Sequence, residues 1–133
     1  MDVKNVERIY ALTWLQKGML RFHLENPEYH FQQYVIELNG EIKSSLLEER
    51  FQALVQSYDV LRCNILYEKI EQPVHVVQKV RDVKITYLDI SECSDREARL
   101  QEIIHDDRNR KFDISKGQLL RITFVRLAEK KYK

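Results

Sequence analysis

Tyr58-Asp59-Val60-Leu61-Arg62-Cys63-Asn64-Ile65-Leu66-Tyr67 is the stretch on which the reading of the fold turns. Its arginine, Arg62, sits between Leu61 and Cys63 with apolar residues on both sides. Upstream, Leu47, Phe51, Leu54, Val55 and Tyr58 recur at i, i+4, i+7, i+8 and i+11, the stripe of an amphipathic helix that runs to about Tyr58. Ser45 and Glu48 have the spacing of a capping box at its start. Downstream, Leu61–Glu68 reads as a strand, closed by Gln72-Pro73. Val74–Gln78 and Lys84–Leu88 read as two more. Arg62 therefore falls where a helix hands over to a strand. A guanidinium in such a place either faces water or has an acidic partner.

Working outward, Thr13-Trp14-Leu15-Gln16 fits a capping box that opens a first helix. Leu15, Gly18, Met19 and Phe22 continue it at helical spacing, and Asn26-Pro27 stops it. Gly18 costs about 1 kcal/mol against Ala, so its placement suggests close approach of another backbone. Trp14 is read as a core residue or the wall of a groove. Tyr29–Leu38 alternates as a half-buried strand before an Asn39-Gly40 turn. Ser94 and Glu97 suggest a third capping box, followed by a helix with Leu100, Ile103 and Ile104 inward, reaching about Arg110. Leu119–Leu127 is the last full strand. Leu120, Ile122 and Phe124 lie on one face, and Leu119, Val125 and Leu127 on the other, so both sides are expected to be covered. Lys131-Tyr132-Lys133 resembles the start of another strand. The order of helix, strand, helix, strands, helix, strand gives an α+β class, a mixed sheet with helices packed on it.

The 133 residues suit one domain. Apolar content is 44% and charged content 32%, a globular balance. The 22 basic and 21 acidic residues leave a net charge of +1, and the basic residues are scattered. That argues against a nucleic-acid surface, which requires clustered Lys and Arg. No apolar run approaches the ~18 residues of a membrane span. The opening MDVKNVERIY lacks an apolar signal core, so a cytoplasmic location is expected. Cys63 and Cys93 form no CxxC pair, and His23, His30, His75 and His105 show no zinc spacing, so no metal is expected. The two cysteines are read as reduced, small apolar fillers.

Candidate catalytic groups are few. His105-Asp106-Asp107 places an imidazole beside carboxylates, but consecutive helix residues do not face each other, so a solvated face is expected. Glu7, Glu25 and Glu28 have nothing in the sequence to orient them. There is no Gly-rich phosphate loop and no GxSxG elbow. No catalytic residue and no bound cofactor are assigned.

Three segments, in order, resemble one known family. Tyr10-Ala11-Leu12-Thr13-Trp14-Leu15-Gln16-Lys17-Gly18-Met19-Leu20 is similar to the LTPLQxGML motif of condensation domains of nonribosomal peptide synthetases. Ser57-Tyr58-Asp59-Val60-Leu61-Arg62-Cys63-Asn64-Ile65 resembles their RHExLRTxF motif. Lys111-Phe112-Asp113-Ile114-Ser115-Lys116-Gly117-Gln118-Leu119-Leu120-Arg121 resembles their FDLxxGPLLR segment. Trp14 replaces the usual proline, Tyr58 a histidine, Cys63 a threonine and Gln118 a proline.

The resemblance implies the N-terminal lobe of a two-lobed fold like that of chloramphenicol acetyltransferase, spanning residues 11–133. Carrier proteins, on their phosphopantetheine arms, present an acyl or peptidyl thioester and an aminoacyl thioester to a shared tunnel, and an amide bond forms. It further implies that Arg62 pairs with the aspartate of the family's HHxxxDG loop and holds that loop in shape. HHxxxDG does not occur in these residues, so the polypeptide alone is expected to be inactive. Arg62 is then expected to be exposed or to borrow another carboxylate. Residues 1–10, with Asp2, Lys4, Glu7 and Arg8, are read as a docking segment for an upstream synthetase or as a flexible terminus. Further partners implied are the C-terminal remainder of the domain and a second copy through an exposed edge at the final strand. A docking module without chemistry is the alternative.

Overall fold

The computed structural model describes residues 3–26, 32–116 and 119–133. A short 3-10 turn at Val3–Asn5 leads into β1 (Val6–Ala11), then α1 (Trp14–Glu25). Thr13 accepts from the Gln16 backbone N–H while the Gln16 side chain accepts from the Thr13 N–H, the expected capping box. β2 is reduced to Leu38–Asn39, because residues 32–37 take no regular structure. The rest of the expected Tyr29–Leu38 strand lies outside the described residues. At the turn, Gly40 has φ of +123°, a conformation that needs glycine, and its N–H donates to the Lys130 carbonyl.

α2 (Ser44–Ser57) begins earlier than the Ser45–Glu48 spacing suggests. Lys43 is its N-cap, and no side chain caps the end. A second 3-10 turn, Asp59–Arg62, joins α2 to β3 (Cys63–Leu66). β4 (Val74–Gln78) and β5 (Ile85–Asp89) follow. α3 (Arg96–Asn109) is capped by Asp95, whose side chain accepts from the Ala98 N–H, one residue later than the Ser94–Glu97 pattern implied. β6 (Ile122–Ala128) and β7 (Lys131–Tyr132) complete the chain.

The strands form two sheets, ordered β1-β4-β3 and β2-β7-β6-β5. The first is antiparallel throughout. In the second, β5 and β6 run parallel with α3 as the crossover, as parallel neighbours require, while β7 pairs antiparallel with both β6 and β2. The last long strand is thus interior. The open edge expected there is closed on both sides, and the edges of this sheet are β2 and β5.

Both faces of β6 are covered. Phe124 clusters with Ile85 and Tyr132 under Leu47 and Phe51 of α2, and Val125 packs with Ile90 and Leu100, the latter from α3. Leu54 and Tyr58, read as part of the α2 stripe, are exposed. The other side of α2 is tied down by hydrogen bonds. Gln52 donates to the Arg81 carbonyl and accepts from the Val83 N–H, both at 2.9 Å, and Gln56 donates to the Lys79 carbonyl. These bonds satisfy main-chain groups of the β4–β5 link that no strand can reach.

Candidate functional site

The functional geometry centres on Arg62, which is 4% exposed. The turn that carries it places Asp59 three residues earlier, and Arg62 Nη2 donates to Asp59 Oδ1 at 2.7 Å. Arg62 Nη1 donates to Glu7 Oε2 at 2.6 Å, to the Gln78 carbonyl, and more weakly to the Lys79 carbonyl at 3.4 Å. Glu7 arrives through an irregularity in β1. Val6 pairs with Gln78 and Arg8 with Val77, so Glu7 is an extra residue with no partner of its own on β4. On a regular strand Glu7 and Arg8 would point to opposite faces. The bulge lets both reach the same turn.

Arg8 Nη2 in turn donates to Glu7 Oε1 at 3.3 Å and to Asp59 Oδ2. Arg62, Glu7, Arg8 and Asp59 therefore form a closed ring of alternating charge. An unpaired buried guanidinium would cost several kcal/mol. Two carboxylates neutralise it here, and Arg8 offsets the second of them. Of the two expectations for Arg62, exposure or a borrowed carboxylate, the second holds. The Nε atom of Arg62 is buried and has no acceptor among the described residues. The hydrogen bond from Arg62 holds the Glu7 carboxyl below the usual carboxylate range, with its charge and that of Arg8 acting in the same direction and burial opposing them.

Residues 6–10 of the expected docking segment are thus a strand, and Glu7 and Arg8 are engaged within the molecule. Glu7 differs from Glu25, which pairs with Arg21 across one helical turn in solvent. Glu28 lies outside the described residues.

Beside the ring, Tyr10, His75 and Cys63 line one face of the first sheet. Tyr10 Oη lies 3.4 Å from Cys63 Sγ, and its ring centroid is 5.1 Å from that of His75. The hydrogen bond with Cys63, aided by burial, pushes the Tyr10 hydroxyl up to about 12. Burial lowers the His75 pKa, and neither ring nitrogen has a hydrogen-bond partner among the described residues. Cys63 fills the core as expected, whereas Cys93 is exposed. On the opposite face, Arg81 donates to Asn64 Oδ1, and Asn64 Nδ2 donates to the Ser115 carbonyl at 3.0 Å. That link attaches the 113–116 turn to β3, as does the Ile65 N–H to the Ile114 carbonyl.

The third motif is held at both ends. Arg121 stacks over the Phe112 ring at 4.3 Å and pairs with Asp107 at 2.9 Å, while Asp113 accepts from the backbone and hydroxyl of Ser115. The candidate His105-Asp106-Asp107 group separates as helix geometry demands. His105 is exposed and bonded to Asn109, while Asp107 turns inward to Arg121 and Gln33. A cavity of about 470 Å³ lies between α2, α3 and β6, lined chiefly by apolar groups such as Ile36, Phe51, Ile104 and Ile122. α1 presents Trp14 (87% exposed), Leu15, Met19 and Phe22 to solvent. Trp14 is not a core residue. No described atom lies within 4 Å of a Cβ built on Gly18, so the expected close approach is absent there.

Of the ring, sequence reasoning reached Arg62 alone. Asp59 was legible in principle, as the residue one 3-10 turn before it. Glu7 and Arg8 were not, since their role depends on a bulge.

The fold and the three motif-bearing segments define one lobe of a chloramphenicol acetyltransferase-like fold. The condensation-domain family model matches residues 6–133, and the chain belongs to that family. It is 35% identical to tyrocidine synthase 2 of Brevibacillus parabrevis over 133 aligned residues, covering 97% of this chain and 4% of the relative. Bacitracin synthase 3 of Bacillus licheniformis is 33% identical over 129 residues, covering 96% and 2%. The chain thus spans a small part of the curated relatives it matches. Among solved structures, a tallysomycin biosynthesis protein superposes with a TM-score of 0.80 at 23% identity, covering 94% of this chain and 31% of that one. The first condensation domain of the calcium-dependent antibiotic synthetase, in complex with a substrate analogue, superposes with 0.82 at 16%, covering 95% and 31%. These two likenesses bear on the fold.

Proposed function

We propose that these residues are the N-terminal lobe of a condensation domain that forms amide bonds in nonribosomal peptide synthesis. Two carrier proteins deliver the substrates on phosphopantetheine arms. The free amine of the aminoacyl thioester attacks the carbonyl of the acyl or peptidyl thioester. A C–N bond forms, the C–S bond breaks, and the proton lost from the attacking nitrogen passes by way of a base to the departing arm, which leaves as a thiol. The base or amine-positioning group belongs to the HHxxxDG loop. None of the 133 residues takes that role, and His105, exposed and bonded to Asn109, does not substitute.

The observation that carries the reading is Arg62. It is buried, and its terminal nitrogens are held by Glu7, Asp59 and the Gln78 carbonyl. A buried guanidinium that borrows carboxylates of its own chain fits an arginine to which the family assigns the HHxxxDG aspartate as partner, a motif that these residues do not contain. The partners are carrier proteins, an upstream synthetase and the remainder of the domain, all in the cytoplasm. No helix among the described residues is long and apolar enough to cross a membrane.

The test compares the 133-residue polypeptide with the synthetase polypeptide that carries it, each mixed with loaded carrier proteins. The first should give no amide above background and the second should turn over. Turnover by the 133 residues alone, or none by the longer polypeptide, would defeat the reading. The second of these results would favour a docking module.

A further inference from the structure

We propose that the cavity between α2, α3 and β6 is a strand-wide groove, and that its occupant is the stretch of the synthetase polypeptide that follows Lys133. That stretch extends β7 and pairs on both sides at once, with Ile122–Phe124 of β6 and with residues 34–36. The inference rests on the reading above in one respect, that the polypeptide continues beyond Lys133.

Register supplies the argument. On one side of β7, Tyr132 pairs with Leu38 and Lys131 with Asn39. On the other, Tyr132 pairs with Arg126, and the N–H and C=O of Lys133 both bond to Val125. Among the described residues the ladder stops there. β6 runs on through Phe124, Thr123 and Ile122, whose strand neighbour is β5 alone. Thr123 is two residues from Val125, so its N–H and C=O point the same way, into the groove. Across the groove, residues 32–37 alternate in sequence as a strand but take no regular structure. They nevertheless keep the phase of one. Gln33 donates to the Ile104 carbonyl and to Asp107 on the α3 side, Glu37 meets Lys133 at 3.3 Å, and Leu38 packs on the α2 side.

The cavity of about 470 Å³ fits this place. α2 covers the Phe124 face of the sheet and α3 the Val125 face. A space lined by Phe51 of α2 and by Leu100 and Ile104 of α3 therefore lies in the plane of the sheet, and Lys133 stands at its wall. An extended chain suits such a space, because it offers N–H and C=O groups to both walls. The residues joined to Lys133 enter in line with β7. The first of them falls between Phe124 and Ile36 and faces α2. The second falls between Thr123 and Val35 and faces α3, and the third between Ile122 and Tyr34, facing α2 again. A strand covered on both faces is apolar throughout, so all three should be apolar.

The sequence of the synthetase polypeptide is the first check. A charged residue or a proline at any of those three positions, or a chain that stops at Lys133, overturns the inference. The second check is a disulfide. Val35 and the second residue after Lys133 form a pair without mutual hydrogen bonds, with Cα atoms about 4.5 Å apart, within disulfide range. In the synthetase polypeptide carrying this sequence, a cysteine at that second position is combined with Val35→Cys or with Ile36→Cys, and mass spectrometry locates the bridges after mild oxidation. Val35→Cys should bridge, and Ile36→Cys roughly tenfold less, since a one-residue step turns the side chain to the other face. Equal yields, or none from Val35→Cys, overturn the inference. A bridge joining two molecules would seat a second copy in the groove and overturn it as well. If a cysteine variant fails to fold, hydrogen exchange on the parent decides. The Gly40 N–H bonds across to β7, so the N–H groups of Ile36 and Tyr34 point into the groove and that of Val35 points away. The first two should exchange roughly 100-fold more slowly than the third, and uniformly fast exchange overturns the inference. Both readouts need no substrate. Absence of amide formation by the parent would therefore count against the functional reading and leave the groove to be decided by these results.

Discussion

Arg62 is the residue on which stability and chemistry meet. Removing its charge leaves two carboxylates facing each other with Arg8 as the one cation of the ring. Arg62→Met should therefore destabilise the 133-residue polypeptide by about 2–3 kcal/mol in urea titration. That is below the roughly 3–5 kcal/mol of a fully buried pair, because the carboxylate side chains are about a third exposed. A loss under about 0.5 kcal/mol would mean that the ring carries no weight in the fold. His75 sets a separate acid limit. Its pKa is below the ordinary 6.5 because burial disfavours the charged imidazolium. Around it lie Tyr10 and Cys63, with Arg8, Arg62, Glu7 and Asp59 in the neighbouring ring. The unfolded chain binds this proton first, so stability is full above pH 6.5 and falls as pH drops from 6.5 through the lowered folded value. Glu7, held below its ordinary 4.5, adds a second loss that begins near pH 4.5 and continues downward. His75→Phe should abolish the first loss and leave the second. Urea midpoints collected between about pH 7 and pH 4 would show it, and parallel curves for the two proteins would contradict it.

At the scale of elements, what the sequence reveals depends on whether the signal is local. The Thr13–Gln16 box, the α3 stripe of Leu100, Ile103 and Ile104, and the Val74–Gln78 strand all rest on neighbours within a few residues, and all are found in place. β1 was missed because a bulge breaks its alternation and its partner lies some 65 residues downstream. The caps of α2 and α3 show a finer failure. A Ser-x-x-Glu spacing fits both, yet Asp95, next to Ser94, caps α3, since a carboxylate oxygen accepts from the exposed N–H groups more strongly than a hydroxyl. Asp95→Ala should therefore cost about 1 kcal/mol, and Ser94→Ala within a few tenths of zero. Equal effects in thermal unfolding would restore the original assignment. The β3–β4 connection holds another local cost that composition does not disclose. Lys69 adopts φ of +58°, where a side chain meets its own carbonyl. Lys69→Gly should stabilise the chain by up to about 1 kcal/mol.

At the scale of the whole molecule, the two-faced apolar pattern of β6 was legible, but its interior place was not, because β7 reads as a two-residue fragment until it is seen between β6 and β2. That changes where self-association is expected. The strand predicted to lie open is paired on both sides, whereas Trp14, Leu15 and Met19 of α1 are exposed. Exposed apolar side chains gathered on one helix are a surface that another copy can bury. The chain should then associate through α1 as its concentration rises. Trp14 is the one tryptophan in the sequence and is 87% exposed, so its fluorescence reports on the start of α1. Concentrating the protein should shift the emission to shorter wavelength and protect it from iodide, in step with a rising sedimentation coefficient. Leu15→Glu, which leaves the reporter in place and charges the same face, should suppress both changes. Association that persists in Leu15→Glu while Trp14 stays open to iodide would instead place the contact at the β2 or β5 edge. An unchanging sedimentation coefficient across the same range would show that an exposed apolar helix face of this size does not suffice for pairing.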